Sequence, residues 1–141
     1  MILKLFSKEE WAPVAALAHK ACFYEDRPDA QNTFDFVMVA EHEEGKAIAY
    51  ATILEIDSKT AYMQHGGAFL EIRGKYTTLR TYQMMVNFLK GKYSRISTRV
   101  WNQNIPMLKM AMSQGLIIQG IDVIDGTVHA IMSWSKPSEG N

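Results

Sequence analysis

Between Thr60 and Trp101 the chain reads strand, tight turn, helix, strand, and that order requires a parallel pair of strands inside the fold. Thr60–Phe69 is apolar and β-rich. After Gly74 the spacing turns helical, with Leu79, Tyr82, Val86 and Leu89 on one face and Gly91 near the stop, and Arg95–Trp101 is again a strand. Strands joined by a helical crossover run parallel, because the helix returns the chain to the end from which it started. The turn between them, Glu71-Ile72-Arg73-Gly74-Lys75-Tyr76-Thr77-Thr78, lies at a helix N-terminus. Unpaired N–H groups and the positive end of the helix dipole favour an anion there, so the turn reads as phosphate-binding.

The elements on either side are mostly antiparallel strands. Ile2–Phe6 is a short strand, and Ser7 with Glu10 forms a capping box that opens a helix running to about Cys22, with Trp11, Val14, Ala15, Ala18 and Cys22 on one face. After the charged stretch Glu25–Asp29, the strands Phe34–Glu41, Lys46–Ile56 and Thr60–Phe69 are joined by turns at Glu43–Gly45 and Asp57–Lys59, which makes a meander. Beyond Trp101, Asn104 or Asn102 caps a helix bracketed by Pro106 and Gly115. Leu116–Ile124 and Thr127–Trp134 then close a hairpin around Asp125-Gly126. The expected fold is α/β (α+β): a mixed, mostly antiparallel sheet with a central parallel β-α-β crossover and flanking helices. Residues 1–134 form a single domain and 135–141 a polar tail.

Composition narrows the function classes. With 15 Lys+Arg against 15 Asp+Glu the formal net charge is zero, which disfavours nucleic acid as a partner. One cysteine, Cys22, cannot form an internal disulfide, and no apolar run reaches membrane-spanning length or resembles a signal peptide; the expected setting is the cytoplasm. His19, His42, His65 and His129 lack metal-ligand spacing, so no metal is expected. The 9 methionines fall inside periodic elements and read as adaptable core filling. Lys90, Lys92, Arg95 and Arg99 make either a small basic patch or a solvated rim. Exposed strand edges near the closing hairpin allow a homodimer.

This order of parts, over nearly the whole chain from Ile2 to Trp134, resembles the GCN5-related N-acetyltransferase (GNAT) superfamily. The family's turn motif has the core Q/R-x-x-G-x-G/A; Arg73-Gly74-Lys75 matches a common variant, while Tyr76 and Thr78 occupy later glycine positions. Asn104 and Gly115-Leu116 match the family's Asn…Gly-Phe spacing. The resemblance implies an acyltransferase with acetyl-CoA, or another acyl-CoA, as co-substrate. The backbone of Ala68 and Leu70 would face pantetheine, residues Arg73, Gly74, Lys75, Tyr76, Thr77 and Thr78 would cradle the pyrophosphate, and Asn104 would support the cofactor arm. Tyr76 is bulkier than glycine: it narrows the site, or stacks on adenine if turned outward. The alternative is a turn whose anion site has decayed.

Acyl transfer to an amine needs a group to take the ammonium proton and a donor for the departing thiolate. The resemblance places that donor, a Tyr, at the position held here by Ala111. For the base the central strand offers His65, whose pKa suits neutral-pH proton transfer, with Tyr62 as the alternative. The adjacent Gly66-Gly67 reads as a bulge or a close backbone approach. His65 reads equally as a strand histidine with a local hydrogen bond. Glu25 and Asp26 lie where relatives contact the acceptor, or form a solvated charged loop. The reading is an N-acyltransferase acting on a small-molecule or peptide amine. Its alternatives are a catalytically weakened binding protein for a ligand or protein partner, and an enzyme using a donor other than CoA.

Overall fold

Glu10 Oε1 accepts a hydrogen bond from Ser7 N at 2.9 Å and Ser7 Oγ accepts one from Glu10 N at 3.2 Å, the reciprocal cap the sequence calls for. The helix it opens begins at Lys8. The structure, a computed structural model, describes residues 1–11, 34–41, 45–69 and 75–138, with residue 65 in its backbone alone. The rest of that first helix, including Cys22, lies outside the described residues.

Seven strands form a single sheet: β1 (Ile2–Ser7), β2 (Phe36–Glu41), β3 (Ala47–Asp57), β4 (Thr60–Ala68), β5 (Arg95–Trp101), β6 (Ile117–Ile124) and β7 (Thr127–Ser135). Two helices interrupt them, α1 (Tyr76–Lys92) before β5 and α2 (Ile105–Ser113) before β6. The strand order is β1-β2-β3-β4-β5-β7-β6. Every pair is antiparallel except β4 with β5, the pair that α1 connects. The expected mixed sheet with one parallel crossover is the observed one.

Both faces of the sheet are covered along β2 and β3, and their sequences show it. Val37 and Val39 pack with Trp11, Phe34 and Tyr50 on one face; Met38, Ala40, Ala49, Ala51 and Ile53 join α1 on the other. A strand buried on both faces loses the apolar–polar alternation and reads as one apolar run, as β2 does. On α1 the residues Tyr82, Met85, Val86 and Leu89 are buried. Its end is tied to β3: the Tyr93 hydroxyl donates to Glu55 Oε1, and Lys92 Nζ lies 3.7 Å from the same carboxylate and 4.9 Å above the Phe36 ring.

At α2, Asn104 is the cap: its Oδ1 accepts from Met107 N at 3.3 Å, with Pro106 in the first turn and Gly115 in the left-handed region (φ +90°) after the end. The closing hairpin turns on Asp125 (φ 50°) and Gly126 (φ 77°), a pair of left-handed residues whose twist matches the flanking strands. The four basic residues near this end do not act as one patch. Lys90 Nζ donates to Gln114 O at 2.5 Å, Lys92 meets Glu55, Arg95 donates to Gln119 Oε1 at 3.1 Å, and Arg99 Nε pairs with Asp122 Oδ2 at 3.0 Å.

Candidate active site

The β4–β5 ladder runs from Thr60 opposite Arg95 to Met63 opposite Thr98 and stops there. From Gln64 onward β4 pairs with β3 alone, and from Arg99 onward β5 pairs with β7 alone. Two features fix the parting point. Thr98 Oγ1 donates to Met63 O at 3.0 Å, pinning the last rung. The β3–β4 register then slips by one residue, so that Ile53 faces Met63 but Thr52 faces His65, leaving Gln64 as the bulged residue. A bulge bends its strand and increases its twist, which carries β4 away from β5.

The bulge lies beside Gly66-Gly67, as expected, and Gly66 also shows the close approach. A Cβ at Gly66 would stand 2.9 Å from Tyr50 O and 3.3 Å from Ala51 Cα, inside contact distance of the neighbouring backbone. Only a residue without a side chain fits the strand here unless the strands shift.

Between the separated strands lies a cleft of about 280 Å³. The strands contribute Met63, Gln64, Gly66 and Ala68 from β4 and Thr98, Arg99, Val100 and Trp101 from β5. Helix α1 supplies Thr78, Thr81, Tyr82 and Met85 at helical spacing, and the start of α2 supplies Asn104, Met107 and Met110. The walls are mainly apolar with a few hydroxyl and amide groups, a lining suited to a long, partly polar chain.

At one end of this cleft α1 begins. Its capping position, Lys75, makes no side-chain cap hydrogen bond, and the first turn contains no acidic residue. Helix α2, in contrast, is capped by its own Asn104. A helix N-terminus that starts with a lysine and has no carboxylate in its own first turn favours an anion.

Of the residues singled out in the sequence, Ala68, Thr78 and Asn104 line the cleft, and the Asn104 carbonyl oxygen is committed to its cap. Lys75 and Thr77 flank the start of α1; Tyr76 is 73% exposed and not part of the cleft wall. Tyr62 is on the wall of a separate depression with Leu54, Ile56, Ser97 and Ile131. There its hydroxyl accepts from Arg99 Nη1 at 3.3 Å, and the guanidinium lies 5.6 Å above its ring. The backbone of His65 is at the bulge. Leu70, Arg73, Gly74, Glu25 and Asp26 lie outside the described residues. Ala111 is fully buried in the core, while Met107 and Met110 are the α2 residues that reach the cleft beyond the cap.

Tyr82 is a wall residue that helical periodicity marks only as core. It is 8% exposed, and its hydroxyl has no hydrogen-bond partner among the described residues. Burial pushes its pKa well above the ordinary tyrosine value; burial and the hydrogen bond to Glu55 do the same for Tyr93. In the unfolded chain both phenols ionise at the ordinary value while the folded protein keeps both protons. The folded state then binds more protons, so stability falls as pH rises above that value. Alkaline titration followed by ultraviolet absorbance should show phenols that ionise only as the protein unfolds, and Tyr82→Phe and Tyr93→Phe should each remove one. Ordinary titration of every tyrosine in the folded protein would contradict this.

No protein-family model matches the chain, and no curated protein matches it closely. Solved structures do. The "IAA acetyltransferase" from Bacillus cereus aligns with a TM-score of 0.74 at 16% identity, covering 95% of this chain and 98% of that one. A point mutant of the spermidine N-acetyltransferase from Vibrio cholerae aligns at 0.74 with 13% identity, covering 96% and 95%. The ribosomal-protein-S18-alanine N-acetyltransferase from Escherichia coli aligns at 0.73 with 14% identity, covering 99% and 97%. Identity this low with coverage this complete shows a shared fold. Among the described residues no group of His, Cys, Asp and Glu could hold a metal ion, and no helix is long and apolar enough to cross a membrane.

Proposed function

We propose that this chain, which has the fold of the GCN5-related N-acetyltransferases, is an N-acyltransferase that takes an acyl group from acetyl-CoA and passes it to an amine. The observation that carries the reading is the cleft opened where β4 and β5 part, with the N-terminus of α1 and Lys75 at its end. A pantetheine arm is long and apolar with two amides, and it ends in a pyrophosphate. The cleft suits the arm, and the α1 N-terminus with Lys75, Thr77, Thr78 and the preceding Arg73-Gly74 suits the anion. Ala68, Leu70 and Asn104 are the further contacts we assign to the arm, and Tyr76 is free to cover the nucleotide end from outside.

In the reaction the amine nitrogen attacks the thioester carbonyl carbon, a C–N bond forms, the C–S bond breaks, and CoA leaves as thiolate while the nitrogen gives up its extra proton to water, which reprotonates the thiolate. Holding both reactants in the cleft supplies most of the acceleration. The ammonium proton must first be removed, and His65, at the bulge, is the base we propose. Tyr62 is the weaker alternative, because its hydroxyl is engaged by Arg99 in a separate depression. Glu25 and Asp26 are the proposed acceptor contacts. The acceptor is a small-molecule or peptide amine, and the relatives in structure bear names that span both kinds.

A second reading, a binding protein that retains the fold without turnover, is favoured by Ala111 in the donor's place and by Tyr76 and Thr78 where the motif has glycine. A donor other than CoA is the third. Calorimetric titration with acetyl-CoA separates them. The proposal expects micromolar binding, weakened roughly 10- to 100-fold by Arg73→Ala, as for loss of a charge-assisted hydrogen bond to phosphate. Wild-type binding with turnover that His65→Ala lowers by about 100-fold would support the enzyme. Binding without turnover against any amine would favour the second reading, and no binding at millimolar acetyl-CoA would sink the first and leave a protein partner or a different donor.

A further inference from the structure

Tyr62 on β4, Ser97 and Arg99 on β5 and Ile131 on β7 alternate with core residues such as Met63, Ile96 and Met132. Alternation puts them on the sheet face opposite α1. Leu54, Tyr62 and Ser97 pair in a row across three strands, and Arg99 stands opposite Ile131. Together with Ile56 they line a depression of about 270 Å³. Thr98 and Arg99 border this depression and the cleft alike, so the two adjoin across β5 where it leaves β4.

The charge in this depression is already held in place. Arg99 Nε lies 3.0 Å from Asp122 Oδ2, Nη1 donates to the Tyr62 hydroxyl at 3.3 Å, and the guanidinium lies 5.6 Å from the centre of the Tyr62 ring. The side chain is still 40% exposed. A guanidinium carries five N–H donors in a planar fork, more than one carboxylate and one phenol engage. Tyr62 accepts from Arg99, and its own O–H has no acceptor among the described residues. Donors are therefore in surplus, fixed in direction and set among the apolar side chains of Leu54, Ile56 and Ile131. No carboxylate is among the lining residues, so an ammonium would find no counter-charge there. A carboxylate on an apolar body fits both features: its oxygens take charge-assisted hydrogen bonds and its body meets the walls.

We infer that this depression binds the carboxylate and side chain of the acceptor, which is an apolar α-amino acid with its carboxylate free. Arg99 is the first residue beyond the last β4–β5 rung, about 3.3 Å along the strand from the parting point. An α-amino acid carries amine and carboxylate on one carbon, and that short spacing lets the amine reach the cleft while Arg99 holds the carboxylate. A peptide N-terminus has its carboxylate too far away, and a polyamine has none. Where the thioester lies follows from the acyltransferase reading, on which this choice of acceptor rests.

Two measurements on the full chain test it. Calorimetric titration with leucine, methionine and phenylalanine, each beside its carboxamide and in the presence of CoA, reads the depression without turnover. At least one amino acid should bind roughly 10-fold or more tighter than its amide, and Arg99→Gln should remove most of that difference. Rates of acetyl transfer to the same compounds and to spermidine read the acceptor. The ratio of kcat/KM for acid over amide should exceed about 10, carried by KM, and fall toward one in Arg99→Gln. That ratio cancels whatever the substitution does to the donor. Arg99→Lys, which keeps the charge without the fork, should retain part of it. Both variants should keep the folded far-ultraviolet spectrum. Arg99-dependent amino-acid binding without transfer would support the carboxylate site and count against the acyltransferase reading. Transfer to amides or spermidine as efficient as to the amino acids would overturn the inference and leave that reading standing. Absence of amino-acid binding, or a preference for the carboxylate that Arg99→Gln leaves intact, would overturn it as well.

Discussion

Gly66→Val should cost the fold roughly 3 kcal/mol, and Gly66→Ala a smaller part of that, in equilibrium urea unfolding. The reason is the identity of the obstacle. An added Cβ meets Tyr50 O at 2.9 Å and Ala51 Cα at 3.3 Å, both main-chain atoms of β3. A flexible side chain can rotate away from an intruder; the backbone of a paired strand can yield only by opening its ladder. Gly66 also lines the cleft, next to the bulge that separates β4 from β5. Gly66→Ala, where it still folds, should therefore bind acetyl-CoA more weakly than wild type. A Gly66→Val protein within about 0.5 kcal/mol of wild type would mean that β3 and β4 have slack and that the parting of the strands does not rest on this contact.

Ala111→Tyr should lose about 3 kcal/mol or more, enough in a domain of ordinary stability to threaten folding. Counting from Asn104 makes this position the natural place to restore a phenolic proton donor. The packing around it makes that substitution costly. Ala111 is completely buried, and its carbonyl accepts from both Gln114 N and Leu116 N at 3.1 Å where α2 turns into β6. A phenol there must displace packed core, although Ala111 lies one helical turn beyond Met107 of the cleft wall. Met107→Tyr or Met110→Tyr, from residues already in the cleft wall, should retain far more of the stability and deliver the hydroxyl to the cleft. Near-wild-type stability of Ala111→Tyr, together with increased turnover, would show that the core around Ala111 yields to a phenol and would support the counted position as the donor's.

The same comparison explains how far sequence reading reaches into the site. Asn104 is identifiable because a cap is a local arrangement, settled within four residues of chain. Which side of α2 meets the cleft is a matter of helical phase. That phase is set by how the helix packs into the core, and a shift of one residue turns it by about 100°. Thr78, Tyr82 and Met85 illustrate the point on α1. Their spacing shows one face, but a face against the core and a face against a cleft carry the same apolar pattern. Tyr82 was legible as buried and not as a wall.

Short-range physics therefore determined much of this protein from its sequence: the Ser7–Glu10 cap, the Asp125-Gly126 turn, the meander, and the parallel crossover that a helix between two strands imposes. The bulge was legible to within a residue or two, because Gly66-Gly67 in a strand signals close approach. Only the tertiary structure decided where β4 and β5 stop pairing, since that depends on the Gln64 bulge and the Thr98–Met63 hydrogen bond acting together across strands 35 positions apart in the chain. It alone placed β7 between β5 and β6 and so left an isoleucine-rich strand at the edge. Hydrophobic pattern tells each strand to be covered; which neighbour covers it is a property of the whole sheet.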